Sequence, residues 1–140
     1  MAKAEPTLGD PRLKEARKHY AKAVRYFDHP SEPDFENTVK EAVCAVEAAA
    51  KHLFPQVKGA TLDKVVKGIQ GSQEGELPKP LANTFTGAYG YRGAGDGVSH
   101  GGADAGQATA AIAEYVLAIT AAQVILLHSL ASMTEVDVPF

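Results

Sequence analysis

Residues 35–54, FENTVKEAVCAVEAAAKHLF, decide the fold of this chain because their apolar side chains recur at the spacing of one helix face. That face consists of Phe35, Val39, Ala42, Val43, Val46, Ala50, Leu53 and Phe54. Pro55 follows directly and cannot continue a helix. The segment therefore predicts a long amphipathic helix, beginning near Pro33, that packs against a core.

Further helical patterns lie on both sides of this segment. Asp10 followed by Pro11 is a helix-start signal, and Thr61 is a second one. The helices are predicted over residues 11–27, 33–54, 62–69, 80–91 and 104–133. No stretch shows the alternation of a β-strand. We therefore expect an all-α, up-and-down bundle of four to five helices over 11–135, with tails at 1–10 and 136–140.

The composition limits the classes of function. The chain has 140 residues, enough for one domain, and a formal net charge of −3, so its whole surface does not attract nucleic acid. All 14 lysines and arginines lie at or before Arg92. There is no phosphate-binding P-loop, no dinucleotide fingerprint and no His-Glu-x-x-His zinc motif. We expect no cofactor.

The single cysteine, Cys44, excludes a disulfide within the chain and favours a reducing, cytoplasmic location. Its position beside the apolar face predicts a packing role rather than a nucleophile. A cysteine-based metal site, and metal binding in general, are not expected.

The last helix is apolar on nearly every side. Residues 115–134 carry no formal charge and are long enough to span a membrane, but they include Thr120, Gln123 and His128. These polar residues favour a buried or interface helix, so no membrane association is expected. His128 is expected to be a satisfied core or interface residue. Because the other helices offer too little apolar surface to cover this one, we expect a homodimer.

The first helix carries a basic stripe on the side opposite its apolar face. The stripe, defined here as Lys14, Lys18, Lys22 and Arg25, occupies one narrow arc. It is either a solvated helix face or a surface that follows the phosphates of RNA.

A glycine-rich run, YRGAGDGVSHGG over residues 91–102, separates the last two predicted helices. Its five glycines predict a turn instead of a helix. Such a turn would bring Arg92 and His100 together, with the arginine stabilising charge on a phosphate and the histidine moving a proton. These two are the candidate catalytic residues, for metal-independent transesterification of RNA. A flexible joint between helices is the alternative.

Other residues are candidates for supporting such a site. Backbone N–H groups around residues 93–97 would form an anion nest, which adds Gly95 and Ser99 to the basic stripe as candidate phosphate or RNA contacts. The candidate supporting residues are Glu47, Tyr91 and Asp96. Glu47 lies near the apolar face of its helix, where it needs either Lys51 or a distant cation such as Arg92 as a partner.

Several of these segments, taken in order, resemble the HEPN superfamily, particularly its branch related to abortive-infection proteins. The resemblance covers roughly residues 35–130. It rests on TVKEAVCAVEAAAK at 38–51, a Thr-Leu helix start, a Pro-containing loop, the Tyr-Gly-Tyr-Arg…Ser-His-Gly-Gly run, and Ala-Glu-Tyr opening a long apolar helix.

The resemblance implies a helical bundle that dimerises and serves prokaryotic defence or stress response. Many such domains are metal-independent endoribonucleases with an Arg…His signature, which Arg92 and His100 would supply. Here seven residues separate the two, a longer gap than the signature has, and Gly93 follows the arginine. The alternative is a non-catalytic dimerisation, partner-binding or nucleotide-binding domain. The implied partners are a second copy, RNA, and an antitoxin or effector domain.

Overall fold

A computed structural model describes the backbone of residues 9–59, 61–72, 77–99 and 108–136. It also describes their side chains, except those of residues 71–72, 92–99 and 134–136. In these ranges the chain is all-α, as predicted, with five helices and no strand. A 3₁₀ turn, Pro11–Leu13, leads into the first helix. The helices are α1 (Lys14–Phe27), α2 (Phe35–Leu53), α3 (Leu62–Ser72), α4 (Lys79–Ser99) and α5 (Ala110–Val136).

Short polar side chains start these helices. The Asp10 carboxylate accepts a hydrogen bond from a backbone N–H two residues on, at 2.9 Å, and Pro11 is the first residue of the 3₁₀ turn. Asp34 accepts from a backbone N–H at 3.0 Å and begins α2. The Thr61 hydroxyl accepts from Lys64 at 3.3 Å at the start of α3. The start signals at Pro11 and Thr61 are thus confirmed.

Helix α2 is the centre of the bundle and contacts each of the other four helices. Its buried residues, all under 5% exposed, are Thr38, Val39, Ala42, Val43, Ala45, Val46, Ala49, Ala50 and Leu53. Small alanines let the neighbouring helices approach closely. The predicted apolar face of 35–54 is confirmed, although alanines 45 and 49 widen it beyond the predicted stripe.

The core consists of two clusters at opposite ends of α2. The larger one joins α2 to α3, α4 and the second half of α5, with Leu127 and Phe85 among its fully buried side chains. The smaller one joins α1 and α2 to the beginning of α5. At its edge the Phe27 and Phe35 rings lie 5.7 Å apart between centroids. The two clusters leave the outer side of α5 uncovered.

Helix α5 begins at Ala110, later than the predicted start near Asp104. Ala108 and Thr109 are not helical, and the Thr109 hydroxyl accepts a hydrogen bond from the Ile112 N–H at 3.2 Å. This threonine supplies the cap that starts the helix. Asp104 itself lies outside the described residues.

Helix α4 differs most from the prediction. It was expected to end at about Tyr91, but its backbone continues as a helix through the glycine-rich run to Ser99. Among the described glycines only Gly59 has a positive φ, +58°. Glycine permits a turn without requiring one, and once a helix is nucleated each added residue gains a hydrogen bond. The prediction of a turn between Arg92 and Ser99 is therefore wrong.

Alanine substitutions at two glycines test the backbone geometry, one inside α4 and one in the left-handed region outside it. A Cβ at Gly90, inside α4, would meet no atom within 4 Å, so Gly90→Ala should raise the free energy of unfolding by about 0.5–1 kcal/mol. Gly59→Ala should lower it by about 1 kcal/mol because of its left-handed φ. Urea denaturation measures both. A destabilising Gly90→Ala would contradict a helical backbone at that position.

Candidate functional site

The predicted Arg92–His100 pair lies partly outside the described residues, which end at Ser99 in this part of the chain. From Arg92 to Ser99 the backbone is helical, so those two residues lie about 10 Å apart along the helix axis. The anion nest expected around residues 93–97 requires non-helical backbone and is absent there. The side chains of Arg92, Asp96 and Ser99 lie outside the described part of the chain, as does all of His100.

The other supporting candidates lie on separate helices. Tyr91 is half-buried on α4 and packs against the smaller core cluster, where Val116 of α5 is also found. Glu47 is half-buried on α2 and has an interaction partner, as a carboxylate beside an apolar face requires. Tyr91 thus has a packing role that the sequence did not indicate.

The basic stripe is exposed along α1. Lys14, Lys18, Lys22 and Arg25 all lie on the solvent side of the helix. Within the described part of the chain, Lys22 forms an ion pair, with its Nζ 3.4 Å from Glu41 Oε1. An exposed row of cations can follow the phosphates of a polyanion.

A second polar cluster joins α1 to α2. His19 Nδ1 lies 2.7 Å from Glu41 Oε2, and Lys22 lies on the other carboxylate oxygen. Burial alone would raise the pKa of Glu41, but the hydrogen bond from His19 and the charge of Lys22 outweigh it and lower that pKa. The sequence reasoning missed this cluster because its members lie 22 residues apart and follow no linear motif.

A third polar cluster joins residues just before α1 to His128 of α5. The Asp10 carboxylate accepts hydrogen bonds from the Arg12 guanidinium at 2.7 Å and lies 3.0 Å from His128 Nε2. Arg17 donates to the Asp10 backbone carbonyl at 2.9 Å. Hydrogen bonding from Arg12, against the opposing effect of burial, holds the pKa of Asp10 well below its usual range. His128 is thus partnered and only 14% exposed, as predicted.

Removing the Asp10 carboxylate should destabilise the protein in a pH-dependent way. Asp10→Ala loses the cap, the ion pair with Arg12 and the hydrogen bond with His128, and should lower the free energy of unfolding by about 1–2 kcal/mol at pH 7. Asp10→Asn keeps a capping oxygen and should lose less. Because the folded-state pKa is depressed, the carboxylate's contribution is complete above its unfolded pKa of about 4 and declines as the pH falls below it.

Urea denaturation of wild type and both variants at several pH values measures this effect. The difference between wild type and Asp10→Asn should shrink below about pH 4. A constant difference from pH 7 into this acidic range would show that the carboxylate's charge contributes nothing through its contacts with Arg12 and His128.

An apolar groove of about 650 Å³ runs between α4 and α5. Residues exposed on its walls include Leu81 (52%), Ile112 (38%) and Tyr115 (64%). The groove is lined by Leu81, Thr84, Phe85, Gly87, Ala88, Tyr91, Ile112, Tyr115, Val116, Ile119, Ala122, Gln123 and Leu126. None of these carries a charge. A contiguous exposed apolar surface of this kind is typical of an interaction site.

The polar groups near the groove are satisfied within the bundle. Gln123 donates to the Thr84 carbonyl at 3.3 Å across the gap between the helices. The buried Thr120 hydroxyl donates to the Val116 carbonyl at 2.7 Å. A partner would therefore bind in the groove through apolar contacts rather than through hydrogen bonds.

Helix α5 over Ala110–Met133 is long and apolar enough to cross a membrane by length and composition, and 33% of its most apolar window is buried in the bundle. Core helices of soluble proteins have the same properties. Among the described residues, the side of α5 that lines the groove is left partly exposed, with Ile112 and Tyr115 both more than a third exposed on this helix.

The sequence anticipated surplus apolar surface on the last helix but could not indicate which residues form the groove. A helix with apolar residues on every side has no pattern that identifies its outer face.

Comparisons with known proteins do not assign this chain to a family. No protein-family model, no curated protein and no solved structure matches it.

Proposed function

We propose that this protein is a HEPN-like helical module that works as a homodimer, with the α4–α5 groove as its self-association surface. The observation that carries the proposal is the uncharged groove with Leu81 and Tyr115 more than half exposed. Isologous packing of this surface on its own copy would bury it on both protomers at once.

A second copy fits this surface better than a lipid bilayer does. The Asp10–Arg12–His128 cluster lies against α5 inside the stretch that would have to cross the membrane. Placing a carboxylate and a guanidinium in hydrocarbon is costly even when they are paired. In a water-soluble dimer the same cluster does not have to enter hydrocarbon.

Sedimentation equilibrium of the full chain in detergent-free buffer tests the proposal. A mass of two chains at micromolar concentration, dissociating reversibly on dilution, is the expected result. A monomer throughout that range would overturn it. Flotation with neutral phosphatidylcholine vesicles is the companion experiment, and co-flotation of the protein would assign α5 to a membrane instead.

A second candidate function, RNA-directed and with metal-independent endoribonuclease activity, is favoured by the exposed basic stripe on α1. Lys14, Lys18 and Arg25 are all exposed to solvent on one side of α1. Against it stands the helical backbone from Arg92 to Ser99, which keeps those positions about 10 Å apart within one chain. We therefore place the dimerisation function first.

RNA cleavage in EDTA distinguishes the two functions. Loss of cleavage in His100→Ala and in Arg92→Gln, with retained dimer mass, would establish the endoribonuclease. His29→Ala is the matched control, because His29 is exposed in the turn between α1 and α2. Absence of cleavage by the wild type, or equal cleavage by wild type and His100→Ala, would leave the module non-catalytic.

A binding assay addresses RNA without cleavage. Reversing the charge of Lys14, Lys18 and Arg25 to glutamate should abolish retention of single-stranded RNA if the stripe follows phosphates, and retention should fall steeply with salt. Charge reversal that leaves RNA retention unchanged would show that the stripe is only a solvated helix face.

A further inference from the structure

Three different metal-ligand types converge where α1 packs on α2. His19 comes from α1, while Glu41 and Cys44 come from α2, three residues apart and therefore on the same side of that helix. One ligand atom from each lies within 4.8 Å of the other two, and all three residues are partly buried. None of the three lines the α4–α5 groove or belongs to the glycine-rich run.

The combination of ligands selects the cation. A thiolate and an imidazole disfavour Mg²⁺ and Ca²⁺, which prefer oxygen ligands, and favour Zn²⁺. Three protein ligands with a fourth position for water is a recurrent zinc arrangement. The His19 side chain is 37% exposed, so solvent reaches that fourth position.

The distances require only small rearrangements. In a tetrahedral zinc site the ligand atoms lie about 3.3–3.7 Å apart, given bonds of about 2.0–2.3 Å. His19 Nδ1 and Glu41 Oε2, now at 2.7 Å, would separate by roughly 0.6 Å, and the other ligand atoms, which lie within 4.8 Å of one another, would approach by at most about 1 Å. Shifts of this size are small compared with those that a change of side-chain rotamer produces.

We propose that His19, Glu41 and Cys44 bind a zinc ion that joins α1 to α2. Cys44 binds as the thiolate, and its proton passes to solvent on binding. His19 binds as the neutral imidazole through Nδ1, with its N–H on Nε2. Glu41 binds through Oε2. Lys22 stays on Oε1, as an outer partner of the ligating carboxylate.

Cobalt titration of the full chain, reduced with a phosphine and freed of metal, tests this site. Co²⁺ is the probe because its thiolate complexes absorb in the near ultraviolet, and tetrahedral coordination gives strong visible bands. We expect both signatures to saturate at one equivalent. Zn²⁺ should then displace Co²⁺ and abolish the spectrum, in line with its higher place in the affinity order.

Substitutions assign the ligands individually. Cys44→Ser should abolish the near-ultraviolet band, and His19→Gln and Glu41→Gln should each weaken cobalt binding by roughly tenfold or more. His52→Gln, an exposed histidine at the far end of α2, is the matched control and should change nothing.

The outcomes that overturn the site are clear. Absence of a charge-transfer band in the wild type, a band that survives in Cys44→Ser, or equal loss in His52→Gln would each do so. Far-ultraviolet circular dichroism shows whether each variant is folded. If Cys44→Ser does not fold, the weaker cobalt binding expected for His19→Gln tests the site instead. Because Tyr115→Glu leaves all three ligands intact, it should bind cobalt normally whether or not it dimerises.

Discussion

Tyr115→Glu is expected to convert the proposed homodimer into a monomer, with the dissociation constant raised by at least about a hundredfold. Tyr115 is 64% exposed on the groove wall, so the substitution costs the single chain little. In an isologous dimer it places two carboxylates in one apolar interface, and burying each without a partner costs several kcal/mol. Sedimentation equilibrium of wild type and variant measures the change.

The matched control for this experiment is Ala118→Glu. Ala118 is also exposed on α5 but does not line the groove. Ala118→Glu introduces the same charge on the same helix as Tyr115→Glu does. Because Ala118 lies outside the groove, the substitution should leave the dimer intact. Leu81→Glu, on the opposite wall, should reproduce the effect of Tyr115→Glu. Equal weakening by Ala118→Glu and Tyr115→Glu would move the interface away from the groove.

Leu127→Ala should lower the free energy of unfolding by about 3 kcal/mol. Leu127 is fully buried in the larger core cluster, so its truncation removes apolar contacts and leaves a cavity. Its neighbour Leu126 is half-buried and lines the groove. Leu126→Ala should cost the single chain about 1 kcal/mol, because its side chain is only partly covered.

Urea denaturation of both variants in the Tyr115→Glu background measures these costs without a contribution from dimer dissociation. In the wild-type background Leu126→Ala should weaken the dimer more than Leu127→Ala does. A Leu126→Ala variant that destabilises the single chain as much as Leu127→Ala would mean that α5 is rotated from the orientation described above.

Local chemistry made several elements of the fold predictable. Asp10 with Pro11, and Thr61, are start signals whose action depends on a few neighbouring backbone groups. The apolar face of 35–54 could be recognised because charged residues, among them Glu36, Lys40 and Lys51, occupy the opposite side of the same helix. Amphipathic contrast of this kind indicates which side of a helix meets the core.

The glycine-rich run was mispredicted because composition gives only a tendency. A glycine in a helix costs about 1 kcal/mol relative to alanine, and that cost is set against hydrogen bonds and packing that the sequence does not display. The first part of α4 is anchored in the larger core cluster through Phe85 and Ala82. The helix propagates from this anchored part through residues 93–99.

The candidate sites were predictable to different degrees. Lys14, Lys18 and Arg25 formed a recognisable stripe because they recur on one helix, and the structure leaves them exposed. The His19–Glu41–Cys44 cluster had no such signal. Its members come from two helices, and only the packing of α1 on α2 brings their ligand atoms within 4.8 Å.

The sequence by itself determined an all-α chain, the helix starts at Asp10–Pro11 and at Thr61, and a last helix that is apolar on nearly every side. Only the tertiary structure decided which side of α5 is buried. Leu127 and Leu126 are identical in chemistry and adjacent in the chain, yet one is in the core and the other lines the groove. A uniformly apolar helix carries no rotational information, so its orientation comes from the shape of the helices against which it packs.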